Sequence, residues 1–471
     1  MAAPAPRRTQ AAPLNLTPNP HGPPSSWNNV SNNLFIEAPA GVGFSYCDTR
    51  AGCRHTDTST AQDNLAAVVS FFKAYPEYAR NAVWYSGESY AGIYVPSLAY
   101  ATYNYNLAAP AVPINLKGIM VGNGCIGHSA GHCGNDPTGL ADYHDVQQWK
   151  GHGLISETAY DAILKECVWA TESQACSNLL DDAANSIGDI DVYYLYNTCE
   201  DPAISRRRTP YSKTGMLARV ERARAARGAA PLTLDPNCFG STQALEAWGN
   251  LPATKAALHV APTIDWAVCS NNNSFGYNSD IPDERTEIYP TLTQKAGYQV
   301  LVYNGEADLC VPFTDNEWWT RSMGYAVKAP WHAWSVDGEE GSYVGGYAIQ
   351  YANNFTFATV RGAGHMVPET RPEVRLWRAA KRPRRPYAPA AAPPLCPHPP
   401  PPHSPLFRNR RPSPCSRRTW RASPCKQRRA CSTLPLSPFY TGAFLFCAVF
   451  VCVLCVLFVS SFAAAPCDVC T

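Results

Sequence analysis

A serine among small residues, in the segment G-E-S-Y-A-G at 87–92, is the first candidate for chemistry in this sequence. An apolar run at 82–86 precedes it and a stretch of helical spacing follows it, so we expect Ser89 at a sharp turn between a strand and a helix. Such a turn strains the backbone and projects the hydroxyl outward as a nucleophile, although the short pattern alone also fits an ordinary glycine–serine turn. A serine hydroxyl attacks only when a positioned base removes its proton.

Two ionisable residues in the second half of the chain are the candidates for that base and its partner. Asp308 lies in N-G-E-A-D-L-C-V-P, just after an apolar run at 299–303, and His365 lies in G-A-G-H-M-V-P, just after a run at 355–360. Taken singly, each also fits a loop-capping aspartate or a hydrogen-bonded loop histidine. The chain order Ser89, Asp308, His365, with each residue at a strand end, is that of the α/β-hydrolase triad.

Alternating strand and helix patterns must position these three residues. Residues 63–75 carry apolar side chains on one face of a helix. Short apolar runs favour buried strands at 33–39, 82–86, 116–121, 299–303 and 355–360. This alternation predicts an α/β fold with a mainly parallel central sheet. Ligands of such sheets bind at the carboxyl ends of the strands, so the loops that carry the three candidates should converge.

The middle of the chain has a different pattern. Residues 125–286 are helix-like and cysteine-bearing, without strong strand alternation, and predict an inserted helical cap. Within them, residues 206–230 carry eight basic residues and one acidic residue. This basic linker is either an exposed flexible loop or a segment that proteolysis trims.

The charge of the chain is unevenly distributed. Residues 382–471 hold twelve Lys or Arg and one acidic residue, a net charge of +11, whereas the preceding 381 residues have a net charge of −9. The acidic body repels phosphate, which argues against nucleic-acid binding by that part of the chain. Its cysteines are scattered, without paired zinc-site spacing, so we expect neither a metal site nor a bound cofactor.

Scattered cysteines favour disulfides in an oxidising compartment. Four Asn-x-Ser/Thr acceptors, at Asn15, Asn29, Asn272 and Asn354, agree with that compartment and predict a glycoprotein. No apolar run near the start of the sequence could serve as a signal peptide. The sequence therefore indicates either a cytosolic protein or a true N-terminus further upstream.

Long collinear motifs show that the chain resembles the serine carboxypeptidases, the family of lysosomal cathepsin A and the yeast and plant vacuolar carboxypeptidases. The resemblance runs from about Ser26 to Lys381. Its motifs are S-W-N-N-V-S-N-N-L-F-I-E-A-P-A-G-V-G-F-S-Y, W-Y-S-G-E-S-Y-A-G-I-Y-V-P, L-K-G-I-M-V-G-N-G, L-V-Y-N-G-E-A-D-L-C-V-P and V-R-G-A-G-H-M-V-P. The resemblance implies an α/β-hydrolase fold with a helical cap insertion.

The resemblance also implies a role for each candidate residue. Ser89 would be the nucleophile, His365 the general acid and base, and Asp308 its orienting partner. The backbone N–H of Tyr90 would be one oxyanion-hole donor, as is general for the residue after the nucleophile. Glu88 would bind the terminal carboxylate of a peptide by sharing a proton with it, which favours acidic pH; a solvated turn residue is the alternative.

The sequence departs from the family before Trp27. The family's W-L-N-G-G-P-G-C-S-S segment and its E-x-G-P element do not occur there. The second oxyanion donor, two carboxylate-binding residues and the first sheet strands would be absent with them. We therefore expect either a truncated gene model or an impaired enzyme, because losing one oxyanion donor typically costs on the order of 10²–10³ in rate.

The sequence also departs from the family after residue 381. Residues 382–442 are rich in Pro and Arg and are expected to be disordered. Residues 443–465 are uncharged and mostly apolar, long enough to span a bilayer, so they predict either a membrane anchor or translated non-coding sequence.

These observations predict a serine-type carboxypeptidase that releases C-terminal residues from peptides and proteins, in a vacuole or lysosome or after secretion. An acyltransferase with the same triad and a truncated binding or protective homologue are the alternatives, and a homodimer is allowed. The predicted organisation is an irregular segment at 1–26, a core at 27–124 and 287–381 around the cap at 125–286, the tail at 382–442 and the apolar segment at 443–465.

Overall fold

The computed structural model describes residues 26–134, 136–171, 173–188, 190–197, 242–267, 276–338, 341–372 and 454–460. The chain divides into two units, Met1–Pro383 with Leu445–Thr471, and Arg384–Phe444. All described residues belong to the first unit. The basic linker, the Pro/Arg-rich tail and the segment before Ser26 lie outside the described residues.

Ten strands occur in the described part of the chain. They are β1 Asn32–Glu37, β2 Arg54–Thr56, β3 Ala82–Glu88, β4 Leu116–Gly122, β5 Gly276–Asn278, β6 Gln299–Gly305, β7 Val327–Gly338, β8 Gly341–Tyr351, β9 Phe355–Val360 and β10 Leu454–Ser460. Eight of them form one sheet in the order β1-β10-β3-β4-β6-β9-β8-β7, while β2 and β5 form a separate parallel pair.

The helices lie between these strands. They are α1 Asp57–Ala74, α2 Ala91–Leu107, α3 Leu140–Gly151, α4 Glu157–Glu166, α5 Gln174–Ile187, α6 Thr242–Gly249, α7 Pro252–Ala257, α8 Ile288–Pro290, α9 Phe313–Ser322 and α10 Val367–Thr370. A π-helical turn at Thr291–Lys295 follows α8, and 3₁₀ turns occur at Trp27–Asn29, Arg50–Cys53 and Pro76–Tyr78.

The centre of the large sheet is parallel, and its two sides are antiparallel. Strands β3, β4, β6 and β9 run side by side in the same direction. Strands β7 and β8 extend one side in antiparallel pairing, and β10 is antiparallel to both β1 and β3 on the other. The α/β fold with a mainly parallel sheet is therefore confirmed. The carboxyl ends of the four central strands meet at one edge, as the sequence predicted.

Helix α2 packs directly against β3 and β4 and is buried on all sides in its first turns, while α1 packs against α2 through its apolar face. Thr56 caps α1 through its hydroxyl, which accepts from Ser59 N, while Ser59 Oγ accepts from Thr56 N. Leu65, Val68 and Phe72 of the predicted helical face are buried in the main core, together with much of α2, β3 and β4. This packing fixes the strand-to-helix turn between β3 and α2.

The predicted membrane span is not supported. Within residues 443–465, the described part is the strand β10, which lies between β1 and β3. None of the helices in the described ranges is long and apolar enough to cross a membrane. The run L-C-V-L-F-V-S is rich in β-branched and aromatic residues, which suit a strand paired on both sides, and hydropathy alone does not distinguish such a strand from a helix.

Candidate active site

Ser89 lies at the sharp turn between β3 and α2, as predicted. Its φ is +62°, a left-handed backbone conformation that non-glycine residues adopt only when their surroundings impose it. Those surroundings are three backbone hydrogen bonds: Ser89 N donates to Gly122 O at 3.0 Å, and Ser89 O accepts from Gly92 N at 2.8 Å and Cys125 N at 3.0 Å. The turn is thus attached to the loop that follows β4.

Gly92 makes this attachment possible. A Cβ at this position would lie 2.3 Å from the carbonyl oxygen of Cys125 and 2.5 Å from its nitrogen. Only a residue without a side chain allows the start of α2 to approach the loop after β4 so closely. The last glycine of the G-E-S-Y-A-G motif is therefore required by the close packing of α2 on this loop.

Asp308 lies after the end of β6 and is completely buried. Its Oδ1 accepts from Cys310 N at 2.7 Å, and its Oδ2 accepts from Val311 N at 3.1 Å. These bonds close a tight turn around the carboxylate, and its Oδ2 also faces His365. The aspartate is therefore fixed by its own loop before any substrate is present.

His365 lies in the loop after β9 and is also completely buried. Its Nδ1 is 2.7 Å from Asp308 Oδ2, so the Nδ1–H donates to the carboxylate and leaves Nε2 as the acceptor of a proton. Burial by itself lowers the pKa of His365, but the charge and hydrogen bond of Asp308 outweigh it, and the net pKa is raised. Nε2 is buried without a hydrogen-bond partner among the described residues, so no bond from Ser89 Oγ to this nitrogen is formed.

Asn123 is a site residue that the sequence analysis missed. It follows β4, and its Nδ2 donates to Asp308 Oδ2 at 2.7 Å while its Oδ1 accepts from Gly305 N at 2.9 Å. It is fully buried, with a φ of +40°. The motif V-G-N-G at 121–124 could have indicated this residue, because it ends β4. Strand β4 lies between β3, which precedes Ser89, and β6, which precedes Asp308.

Residues from the middle of the chain hold the loops that carry Asp308 and His365. Gln148 of α3 donates from Nε2 to the carbonyl oxygens of Glu306, at 2.7 Å, and Asp308, at 2.9 Å. The carbonyl of Tyr193 accepts from His365 N at 2.6 Å, and the two rings lie 5.1 Å apart. The region predicted to be a cap thus takes part in holding the Asp308–His365 pair.

Glu88 is the last residue of β3 and is half-buried. Burial raises the pKa of Glu88 to about 7; the nearby His365 opposes this rise, and the charge of Asp308 adds to it. The carboxyl group is therefore protonated in weakly acidic solution. Glu369 in α10, which the sequence analysis did not single out, has its pKa raised to about 8 by burial and then by the charges of Glu88 and Asp191.

Tyr90 directly follows Ser89 and is the N-cap of α2, with helical φ and ψ of −61° and −19°. Ser89 O and Tyr90 N–H belong to one planar trans peptide and therefore point in opposite directions. Since Ser89 O is directed at Gly92 N and Cys125 N, the Tyr90 N–H points away from them. An oxyanion-hole donor requires such an unengaged N–H beside the nucleophile.

Three disulfides are present in the described part of the chain: Cys47–Cys53, Cys125–Cys133 and Cys167–Cys176. The prediction of disulfides is therefore confirmed. Cys310, next to the Asp308 turn, is not in a disulfide, and burial raises the pKa of its thiol. Across the described ranges, no three His, Cys, Asp or Glu residues group as metal ligands would.

The chain is similar to several known proteins. A family model described as serine carboxypeptidase matches residues 11–377. Serine carboxypeptidase-like 40 of Arabidopsis thaliana is 34% identical over 356 residues, 74% of this chain, and the chain spans 63% of that relative's length. The lysosomal protective protein of Mus musculus is 31% identical over 371 residues, 74% of each chain. A prohormone-processing carboxypeptidase from Saccharomyces cerevisiae, Kex1(Δ)p, aligns over 72% of this chain and 71% of its own, with 19% identity and a TM-score of 0.47.

Proposed function

Because this chain belongs to the serine carboxypeptidase family, we propose that it releases C-terminal amino acids from peptides and proteins through an acyl-enzyme on Ser89. The observation that carries the proposal is the buried Asp308–His365 pair, whose free Nε2 belongs to the same strand-end edge as the strained Ser89. The hydrogen bond to Asp308 fixes the proton on Nδ1 of His365 and leaves Nε2 as the atom that can accept a proton.

In the proposed reaction His365 accepts a proton and then donates it, first in forming the acyl-enzyme and again in hydrolysing it. Its Nε2 takes the proton from Ser89 Oγ as the oxygen bonds to the carbonyl carbon of the substrate's last peptide bond. It then gives that proton to the leaving amine as the C–N bond breaks. Water then attacks the carbonyl carbon of the acyl-enzyme ester while Nε2 takes its proton, and that proton goes to Ser89 Oγ as the ester C–O bond breaks. Asp308 accepts the hydrogen bond from Nδ1 and stabilises the imidazolium, which agrees with the raised pKa of His365.

The negative charge of the tetrahedral intermediate would be stabilised by the Tyr90 N–H. This donor is a proposal that follows from its direction and from its place after the nucleophile. A fixed donor costs no reorganisation at the moment of reaction, which is the general origin of this kind of stabilisation.

Glu88 would select substrates with a free C-terminal carboxylate. With its pKa near 7 it is protonated in an acidic compartment and donates a hydrogen bond to that carboxylate. Once ionised, it repels the carboxylate. A lysosome, a vacuole or the secretory pathway fits both this chemistry and the three disulfides, and one relative is by name a lysosomal protein.

The test is to label the full chain with a fluorophosphonate and to measure amino-acid release from a blocked dipeptide at pH 5. Wild type is expected to be labelled at Ser89 and to release the C-terminal residue, while Ser89→Ala shows neither. Ser97→Ala is the matched control, because this buried serine lies on α2 and its hydroxyl bonds to the backbone oxygen of Ile93 in the same helix. Labelling without release, but with acyl transfer to a small alcohol, would replace the peptidase with the acyltransferase; no labelling of wild type would reject both enzymes.

A further inference from the structure

We infer that Asp57 is a positioning residue for the proposed reaction, because its buried carboxylate fixes Tyr90 and so the direction of the Tyr90 N–H. The inference rests on the proposed function. It adds a residue that never touches the substrate and lies 32 positions before Ser89 in the sequence.

The carboxylate of Asp57 is completely buried and accepts four hydrogen bonds. Its Oδ1 accepts from the hydroxyls of Tyr90, at 2.9 Å, and Tyr277, at 2.7 Å. Its Oδ2 accepts from the backbone nitrogens of Asp280, at 2.8 Å, and Ile281, at 3.1 Å. A buried charge with this many donors has one well-defined position, so its partners are fixed relative to one another.

Asp57 joins three parts of the chain at this position. It is the first residue of α1, where the positive end of the helix dipole favours a carboxylate. Tyr90 belongs to the turn that carries the nucleophile. Residues 277–281 begin within β5 and continue beyond it, and the pairing of β5 with β2 brings them beside the start of α1. The Tyr90 side chain is thus anchored to a junction outside its own turn.

The ring and hydroxyl of Tyr90 are both constrained. The ring packs edge-on against Tyr94, at a centroid distance of 5.0 Å, and against Tyr277, at 5.8 Å. The hydroxyl also lies 2.6 Å from Ser279 Oγ. Burial raises the pKa of Tyr90, and so, to a smaller extent, does the charge of Asp57, so the hydroxyl keeps the proton that it donates.

The anchor matters for the reaction because Ser89 is strained. On one side, the Ser89–Tyr90 peptide is held by the bonds to Ser89 O. On the other side, Tyr90 is held by its carbonyl, which accepts from Ile93 N at 2.9 Å, and by its hydroxyl, which donates to Asp57. If the hydroxyl bond is lost, one of these two restraints is removed, and the positive φ of Ser89 can relax in part and tilt the peptide plane. An N–H that is misaligned in this way stabilises the intermediate less, while ground-state binding is retained.

Two tyrosines that donate to the same oxygen allow a matched test. Tyr90→Phe and Tyr277→Phe each remove one phenol hydrogen bond to Asp57 Oδ1 and leave the ring in place. Both should lower thermal stability to a similar extent. Only Tyr90→Phe should lower kcat for the blocked dipeptide, by about tenfold with KM within about twofold, and slow fluorophosphonate labelling by a similar factor. Asp57→Asn, if folded, should lower kcat at least as much as Tyr90→Phe.

The outcomes separate this inference from the proposed function. Equal kcat and labelling rates for the two Phe variants would overturn the positioning role, as would a loss that appears in KM alone. If wild type itself is neither labelled nor active, the proposed function fails, and the inference fails with it. A selective fall of kcat and labelling in Tyr90→Phe supports both.

Discussion

The two sides of the candidate active site are built differently. On the base side, Asp308 and His365 are both 0% exposed, and they are held by bonds from three other segments, which carry Asn123, Gln148 and Tyr193. On the nucleophile side, Ser89 and Glu88 are half-buried. Ser89 has strained φ there, and the carboxyl of Glu88 is poised to gain or lose a proton near neutrality.

This difference separates two tasks. In the proposed reaction, the base side keeps one tautomer and one orientation of His365 through every turnover, which suits its buried, hydrogen-bonded setting. The nucleophile side would admit a peptide and its charged end, which suits its partly exposed surface. Changes on the base side should therefore lower kcat, whereas changes at Glu88 should affect KM and its pH dependence.

The largest effect is expected from Asn123→Ala on the base side. The substitution removes the 2.7 Å hydrogen bond to Asp308 Oδ2 and leaves a buried carboxylate with one donor fewer. Hydrogen bonds to charged groups contribute about 1.5–3 kcal/mol, so kcat should fall roughly 10- to 100-fold with little change in KM. Steady-state kinetics with the blocked dipeptide at pH 5 measure this split.

Asn304→Ala is the matched control for Asn123→Ala. Asn304 is equally buried and lies in β6, but its side chain contacts Val311 O and Asn316 rather than the Asp308 carboxylate. It should lower the unfolding temperature without the large loss of kcat. If both variants lose kcat equally, the closed base side is a matter of general packing and the contrast between the two sides fails.

The sequence predicted the strand ends because each is marked by a local pattern. Apolar runs that stop at glycine-containing loops located β3, β4, β6 and β9, and the motifs around Ser89, Asp308 and His365 follow three of them. The catalytic roles of these residues stay predictions, as do the boundaries of the cap. Each feature that the sequence predicted correctly depends on residues within about ten positions of it in the chain.

Features that depend on distant partners were not predictable in this way. Asn123 acquires its role from the strand order, since β4 lies between β3 and β6, and one asparagine after a strand has many other uses. The donors to Asp57 are 33 to 224 residues away in the chain. Strand β10 pairs with β1 and β3 from the opposite end of the sequence, where hydropathy suggested a membrane helix.

A smaller effect, on KM, is expected from Glu88→Gln on the nucleophile side. With a pKa of about 7, Glu88 is mostly ionised by pH 8, so the KM of wild type for a peptide with a free carboxylate should rise up to about tenfold between pH 6 and pH 8. Glutamine donates a hydrogen bond at every pH, so the variant should show less than about a twofold rise and a pH profile extended upward.

Two controls make the Glu88 experiment specific. Glu369→Gln removes the neighbouring carboxyl whose pKa is near 8 but leaves Glu88, so the rise of KM should remain. Peptide amides lack the terminal carboxylate, so their KM should not respond to Glu88 in either protein. A pH profile of KM that is the same in wild type and Glu88→Gln would show that the carboxyl does not bind the substrate.

The smallest effect, on stability alone, is expected from Asp315→Asn beside the base side. Asp315 of α9 is 1% exposed, and its Oδ1 has no partner among the described residues. Burial, and then the charge of Asp136, raise the pKa of Asp315 to about 7. The unfolded chain releases this proton near pH 4 and the folded chain only near pH 7, so the stability present below pH 4 is lost progressively as the pH rises from about 4 to about 7.

Asparagine cannot ionise, so the variant should not lose that stability. Between pH 5 and pH 8 the unfolding free energy of wild type should fall by roughly 2 kcal/mol more than that of Asp315→Asn, as measured by denaturant titration. Glu77→Gln, at an exposed position on the surface, controls for the loss of one negative charge. If all three proteins showed the same pH dependence of the unfolding free energy, Asp315 would not be a buried acid with a raised pKa. The base side would then be rigid without losing stability to the desolvation of a carboxyl group.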